Sequence, residues 1–429
     1  MGNYKHSVTL AVEKCKGCTN CLKRCPTEAI RIRDGHAVIS SESCVDCGEC
    51  IRKCPYRAKK AVSDPLSMMN GFKYKVAMPA PAFYGQFDHL NNINYVLKAL
   101  LDIGFDDVFE VARAAEIVSG YSKRYIKRKD VPKPIISSAC PVIARLISIR
   151  YPDFIENVMP MLPPVDIAAK LARREAKMKH PELSDEDIGI FFIAPCPAKV
   201  SYLQNEAEQG RKLVDGVFSM SELYLKIVTK MKPKEIPPLL SRTGRIGIRW
   251  AGAGGEARAL SKHRFLAADG IENVIDVLEN MDNDTLPDLD FIELDACNGG
   301  CVGGVMAMEN PYIAKARLLH LEKGLPLSVN WDFEEDDVSD EIPDGFFTDE
   351  ELTYTPPAAL DTDMKKAFQK RIEIQKILER LPELDCGSCG APTCRAFAED
   401  VVRGLVTEDQ CVVQMRENLN EEHRKENGE

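Results

Sequence analysis

Apolar residues fall into a few short, dense runs separated by stretches of mixed polarity. Phe72–Met78 (FKYKVAM) reads as a strand and gives way to Pro79-Ala80-Pro81. Beyond it, Val96, Leu97, Leu100 and Leu101 have the spacing of one helix face. Ile188–Ile193 (IGIFFI) and Phe291–Leu294 (FIEL) predict two more strands, each running straight into a cysteine-bearing loop. Strands alternating with helical segments predict α/β units with parallel pairing. Ligands in such folds sit beyond the carboxyl ends of strands, where Cys196, Cys297 and Cys301 stand. Near the C-terminus, Met364–Leu381 predicts an exposed, charged helix with Phe368, Ile372 and Leu378 on its buried side.

The 429 residues exceed one typical domain, so roughly two to four are expected. Apolar residues are 45% and charged residues 28%, as in a soluble globular protein with a real core. A net charge of −10 gives no basic footprint for nucleic acid. No apolar run is long enough to span a membrane. The opening MGNYKHSVTL lacks the apolar centre of a secretory leader, so a cytoplasmic location is expected.

The cysteines change the picture most. Sixteen thiols stand at 15, 18, 21, 25; at 44, 47, 50, 54; at 140, 196, 297, 301; and at 386, 389, 394, 411. Repeated three-residue spacings argue against a disulfide framework. Four sets of four, with none left over, match the four thiolates that one cubane iron–sulfur cluster needs. The 7 histidines are scattered singly and give no support to a histidine-based zinc site.

Cys15–Pro26 (CKGCTNCLKRCP) and Cys44–Pro55 (CVDCGECIRKCP) are copies of one motif displaced by 29 residues. Both resemble the run of bacterial two-cluster ferredoxins, in which the fourth Cys serves the other cluster. The resemblance implies that Cys15, Cys18, Cys21 and Cys54 hold one [4Fe–4S] cluster. Cys44, Cys47, Cys50 and Cys25 would hold the second. A pair of zinc knuckles is the alternative. Residues 1–60 carry twelve Lys/Arg against six Asp/Glu. That excess either favours an acidic redox partner or simply offsets the clusters' charge.

Three further motifs stand in order: Ser137-Ser138-Ala139-Cys140-Pro141, Ala194-Pro195-Cys196-Pro197-Ala198-Lys199, and Glu293-Leu294-Asp295-Ala296-Cys297-Asn298-Gly299-Gly300-Cys301. Together with Val76–Ala82 and Ala253–Arg258, they resemble the catalytic domain of the [FeFe]-hydrogenases, and the resemblance runs over roughly residues 1–320. It implies that Cys140, Cys196, Cys297 and Cys301 hold the cubane of an H-cluster. Cys301 would also bridge to a two-iron subcluster with CO, CN⁻ and a dithiolate bearing an amine. Lys199 would hydrogen-bond a cyanide ligand; its plain reading is a surface lysine. The Gly252–Gly255 run has no nucleotide-binding spacing and reads as close backbone approach beside the cluster.

Departures from the fast enzymes fall at catalytic positions. Ala139 replaces the proton-relaying thiol, and Ala115–Tyr121 shows no acidic pair. Ala194 and Asp295 stand where methionines are expected. These positions are similar to the sensory branches of the family. Asp295 reads either as an alternative proton acceptor or as a loop carboxylate bonded to backbone amides. Ser122–Lys133, with six basic residues, reads as a docking face or a solvated helix end.

Residues 332–351 hold eleven Asp/Glu and read as a connector. Cys386, Cys389, Cys394 and Cys411 follow with the spacing of a small [4Fe–4S] domain like those of corrinoid iron–sulfur and Rnf-type proteins; zinc is the alternative. The expected architecture is an α/β multidomain protein. A two-cluster ferredoxin-like N-terminal module (1–65) leads into a two-lobed α/β hydrogenase catalytic domain (66–330). An acidic linker (331–362), a small α-helical C-terminal [4Fe–4S] domain (363–415) and a charged tail (416–429) follow. Three [4Fe–4S] clusters plus an H-cluster are implied, with Cys301, Lys199, Ala139 and Asp295 at the catalytic positions. The implied activity is slow, oxygen-sensitive H2 ⇌ 2H⁺ + 2e⁻. Implied partners are H2 and protons, a ferredoxin or signalling protein, and maturation proteins. The alternatives are an H2 or redox sensor acting in trans, and an electron-transfer or iron–sulfur assembly protein.

Overall fold

The computed structural model describes residues 4–232, 235–260, 264–333, 340–356 and 360–427. Its eleven strands are β1 (Val8–Leu10), β2 (Ile30–Arg33), β3 (His36–Ile39), β4 (Lys59–Ala61), β5 (Tyr74–Pro79), β6 (Asp107–Val108), β7 (Ile135–Ile136), β8 (Ile188–Ala194), β9 (Gly216–Ser219), β10 (Phe265–Asp269) and β11 (Phe291–Asp295). The protein is a multidomain α/β chain.

Two small antiparallel pairs frame the N-terminal module: β1 with β4, and β2 with β3. The sequence IRIR of β2 alternates, so Ile30 is buried while Arg31 and Arg33 reach outward. The central domain has two parallel sheets, ordered β6-β5-β8-β9 and β10-β11-β7. Every residue of β8 is buried, as expected of a strand covered on both faces. Phe191 of β8 stacks on Phe218 of β9 at 5.1 Å between ring centres. The expected strands lie within a residue or two of their positions, and the expected helix is Asn94–Asp102. The second sheet carries its own core, centred on Ile143, Leu146, Ile147, Val274 and Ile292.

Two expectations need correction. The helix Met364–Leu378 buries Ile374 and Ile377, followed by Leu381, whereas Phe368 and Ile372 face solvent. The basic stretch after Ser122 is no simple solvated end. Lys123 is buried, and Arg124 lies over the rings of Tyr121 and Trp331. Arg128 lies over Tyr125 and Phe347. Those aromatic partners include parts of the acidic stretch, which straps the domain. Thr348 N donates to Pro160 O, Leu162 N to Phe346 O, and Thr355 N to Ser148 O. Residues 334–339 and 357–359 of that stretch lie outside the described residues.

Candidate iron–sulfur centres and the buried cavity

The backbone gathers the cysteines into four groups. Cys15, Cys18, Cys21 and Cys54 line one small cavity of the N-terminal module. Cys25 sits instead with Cys44, Cys47 and Cys50, whose thiols burial pushes up and Cys25 pushes further. The exchange of the fourth cysteine between copies is therefore present in the geometry. In the C-terminal module, Cys389, Cys394 and Cys411 pack in one apolar cluster, and Cys386 acts electrostatically on Cys389. All sixteen are free thiols.

The fourth group is assembled from three distant segments. Cys140 caps the helix Pro141–Arg150, and Cys196 caps Pro197–Glu208 just past β8. Cys297 follows β11, and Cys301 opens the turn after it. The four thiols are close enough to oppose one another's ionisation. Burial raises the Cys140, Cys297 and Cys301 thiols, Cys301 to about 12. As free thiols they stay protonated, and binding a metal releases those protons. The Gly252–Gly255 run lies against this loop, with Ala253 N donating to Gly299 O at 3.0 Å and Val302 N to Ala251 O at 2.9 Å.

Beside Cys140 and Cys301 lies a cavity of about 60 Å³, bounded also by Ala139, Lys199, Glu256 and Asp295. Lys199 is no free surface lysine. Its Nζ lies 3.5 Å from Ala139 O and 4.0 Å from Cys301 Sγ. Burial works against its charge, but the Cys301, Cys196 and Cys140 sulfurs and Asp295 outweigh that and raise its pKa. Ala139 presents a methyl group to the cavity.

The sequence reading missed a group of buried acids on the same wall. Ser137 Oγ donates to Glu256 Oε2 at 2.5 Å and accepts from Ala139 N at 3.2 Å. Glu256 Oε1 is buried without a hydrogen-bond partner among the described residues. Glu293 accepts from Gly254 N at 2.9 Å and Ala257 N at 2.7 Å. Burial raises Glu256 to about 8, assisted by the charge of Asp295. Burial, Asp295 and Glu256 push Glu293 well up. Asp295 rises to about 6 through burial, against the pull of Lys199. No backbone amide bonds to the Asp295 carboxylate among the described residues, so the reading as an amide-bonded loop carboxylate gives way to partnership with Glu293 and Lys199. For Glu293, a glutamate inside the otherwise apolar run FIEL was the available signal.

Glu116, the one acid in Ala115–Tyr121, is spent on structure. It accepts from Val329 N at 2.9 Å, Asn330 N at 2.8 Å and Ser328 Oγ at 3.0 Å, and from Gly244 N. His6 lies beside Cys44 and Asp46, with ligand-type atoms within 4.8 Å of one another. The Asp46 carboxylate already accepts from Ser7 N at 3.1 Å and Val8 N at 3.2 Å, pinning the first strand to the cysteine loop.

Contacts between modules put the groups in a row. Gly48, with φ of +76°, brings its loop against Val305: an added Cβ would lie 2.7 Å from that side chain. Arg52 Nη2 donates to Gly303 O at 3.0 Å, and Cys47 packs in the same cluster as Cys140 and Cys196. On the other side, Ile32 N donates to Gly390 O at 2.8 Å. A Cβ at Gly390, φ +83°, would lie 2.4 Å from Ile32 O. Asp400, buried, receives Arg31 Nε at 2.7 Å and Arg33. The C-terminal module thus docks on the N-terminal module.

Three family models match separate stretches of the chain. The C-terminal domain of the iron-only hydrogenase large subunit matches residues 73–259 and 248–305. A 4Fe-4S dicluster domain matches 7–55, and an Fe-S cluster domain matches 381–413. The periplasmic [Fe] hydrogenase large subunit of Nitratidesulfovibrio vulgaris is 31% identical over 52% of this chain and 58% of its own length. Iron hydrogenase 1 of Clostridium pasteurianum is 22% identical over 58% of this chain and 51% of its own. The chain thus spans between half and three fifths of these curated relatives. A solved [FeFe]-hydrogenase of Chlamydomonas reinhardtii superposes with a TM-score of 0.46 at 17% identity, over 59% of this chain and 86% of that one. No helix among the described residues is long and apolar enough to cross a membrane.

Proposed function

The chain belongs to the iron-only hydrogenase large-subunit family, and from that premise we propose that it interconverts H2 with protons and electrons at an H-cluster held in the central domain. The observation that carries this reading is the cavity bounded by Cys140, Cys301, Lys199 and buried acids. The donor set fits the group: buried sulfurs for a cubane, an ammonium aimed at them, and an adjoining space walled by Ala80, Pro81 and Pro195. Cys140, Cys196, Cys297 and Cys301 would hold the cubane, with Cys301 shared. When bound, the cluster supplies the heterolytic cleavage of H2.

The remaining work falls to the chain. Lys199 holds a fixed positive charge against the sulfurs and orients an anionic ligand. Apolar walls exclude water, which strengthens that interaction. Ala139 carries no titratable proton, so proton delivery falls to Glu256, Glu293 and Asp295. Burial raises all three, Glu256 to about 8 and Asp295 to about 6, which brings them toward the working range of a proton carrier. The serine hydroxyl of Ser137 fixes Glu256 at the cavity wall.

Electrons would pass through three [4Fe–4S] clusters in spatial order. The first is held by Cys44, Cys47, Cys50 and Cys25, the second by Cys15, Cys18, Cys21 and Cys54, the third by Cys386, Cys389, Cys394 and Cys411. A ferredoxin or partner protein would exchange them at the far end. Sixteen thiols with this spacing favour a reducing, cytoplasmic setting. Ala139 also favours a second reading, an H2 or redox sensor whose cluster state a partner protein reads, because slow proton exchange suits a signal better than a flux.

Anaerobically matured protein should bind about eighteen irons, and its infrared spectrum should show CO and CN⁻ bands. Near-full iron without those bands would leave an electron-transfer protein and overturn the assignment.

A further inference from the structure

The two copies of the cysteine motif are related by a shift of 29 residues, which sets Cys25 against Cys54 and Ile30 against Lys59. Ile30 opens β2 and Lys59 opens β4. Both are 2% exposed. One copy thus places a branched hydrocarbon where the other places an ammonium. Ile30 packs with Cys21, Leu22 and Ala37 as an ordinary core residue, in a cluster that Cys25 and Cys50 of the sister set also pack against. Lys59 has no such excuse. Its Nζ is buried with no hydrogen-bond partner among the described residues. An isolated buried ammonium costs several kcal/mol, so a charge in that place needs an anion.

The lysine lines the cavity bounded by Cys15, Cys18, Cys21 and Cys54, and no carboxylate lines it with them. Burial raises the Cys21 thiol, and the Lys59 charge is the foremost influence pulling the other way; that charge also favours the Cys54 thiolate. Of the sister set it reaches Cys50 alone among these influences, and Cys50 does not line the cavity. The counter-ion missing from the protein is supplied chiefly when Cys21 and Cys54 become thiolates of an anionic cluster.

We propose that Lys59 sets the reduction potential of the cluster held by Cys15, Cys18, Cys21 and Cys54, raising it above that of the sister cluster whose equivalent neighbour is Ile30. This rests on reading the eight thiols as two cubanes. Reduction adds one electron and hence one negative charge to a cubane, with no bond made and no proton moved. A fixed positive charge in a poorly solvated site stabilises the more negative state more. The electron comes from the neighbouring cluster on the hydrogenase side and leaves to the C-terminal one. Ile32 joins the two places: it lines the cavity, and its amide holds Gly390 of the docked module. Electrons released from H2 therefore come to rest on the middle cluster of the row, poised beside the exit module.

The test is an anaerobic redox titration of the iron-loaded full chain, followed by electron paramagnetic resonance. Lys59→Met should lower the midpoint of one dicluster centre by at least a tenfold change in its reduced-to-oxidised ratio, about 59 mV for a one-electron couple. Lys59→Arg should keep the wild-type value. Ile30→Lys should raise the midpoint of the other centre. Should Lys59→Met fail to load iron, Lys59→Gln poses the same question with a polar neutral side chain. Unchanged midpoints in a fully loaded neutral variant, or equal shifts for Arg and Met, overturn the inference while leaving the two cubanes in place. Wild type without two cubane signals overturns both.

Discussion

On the proposed reading, the cysteines of the flanking modules and those of the central domain do the same coordination chemistry in opposite settings. In the flanking modules each ligand set comes almost entirely from one short loop, and Cys18 is exposed. Around the central cavity, Cys140, Cys196, Cys297 and Cys301 come from three separated segments fixed by two parallel sheets, with Lys199, Glu256 and Glu293 closing in. The difference follows from what each centre must move. An electron crosses a protein wall without a bound carrier, so a relay needs thiolates and proximity. A proton needs a chain of groups, each able to hold it, so a site that handles protons needs buried acids held at raised pKa. Buried acids are costly to keep, and among the described iron–sulfur sites the group of three lines only the central cavity.

The largest expected effect tests that division. Glu256→Gln should lower H2 oxidation with an artificial dye by about 10²–10⁴-fold, the usual contribution of a positioned acid or base. The CO and CN⁻ bands should persist, because Gln can still accept from Ser137 Oγ. The matching change in the relay, Glu28→Gln beside Thr393, should leave dye reduction unchanged. Activity near wild type in Glu256→Gln, with the bands intact, would mean that protons enter elsewhere and that the acids are structural.

A smaller effect is expected where relay modules meet. Asp400 is shared by Arg31 and Arg33 across the docking contact. Asp400→Ala removes two charge-assisted bonds from a mostly buried place, a loss on the order of 2 kcal/mol. That shifts the docked-to-undocked ratio by about thirtyfold. Rapid-freeze resonance under H2 should then show slower reduction of the C-terminal centre, with dye reduction at the central site unchanged. Equal loss in both would show that the module supports the catalytic site itself.

The same contrast explains what the sequence made legible. Relay thiols announce themselves because ligands close in space are close in sequence, and the doubled motif even implies the exchange of Cys25 and Cys54. The strands β5, β8 and β11 show as apolar runs, whereas β6 and β7 are two residues each and leave no pattern. On the helix after Met364, Leu378 packs on the core as expected, but Phe368 and Ile372 are apolar yet exposed, and the buried stripe is Ile374, Ile377 and Leu381. The acids of the cavity were hidden for a different reason. Glu256 and Glu293 lie 37 positions apart in the chain, and only the packing of the Gly254–Ala257 turn on β11 puts them on one wall. Glu116 shows the converse: an acid in the place of an expected relay whose carboxylate is taken up in tying residues 328–330 to the domain.

The smallest effect separates burial from function within the central domain. Asp166 is as buried as the cavity acids, and its neighbours Pro164 and Val165 line the cavity, but its own carboxyl points to Tyr202, whose hydroxyl donates to it at 2.6 Å. Burial raises its pKa to about 7, against the pull of that hydrogen bond. In the unfolded chain the carboxyl titrates near 3.9. The folded state therefore binds the proton more tightly, and this stabilising contribution is full below about pH 4 and declines as pH rises to about 7. Above that, the native state carries an ionised, buried carboxylate. Asp166→Asn removes the ionisation and keeps an acceptor for Tyr202. The variant should match wild type near pH 4 and gain on the order of 4 kcal/mol at pH 8, read as a melting-temperature difference that widens with pH in anaerobic calorimetry. H2 oxidation should not change. A difference that stays flat with pH would mean that Asp166 is ionised in the folded protein at little cost. A fall in turnover would place it on the proton route with Glu256, and the boundary between the acids that work and those that merely pack would have to be redrawn one helix turn further out.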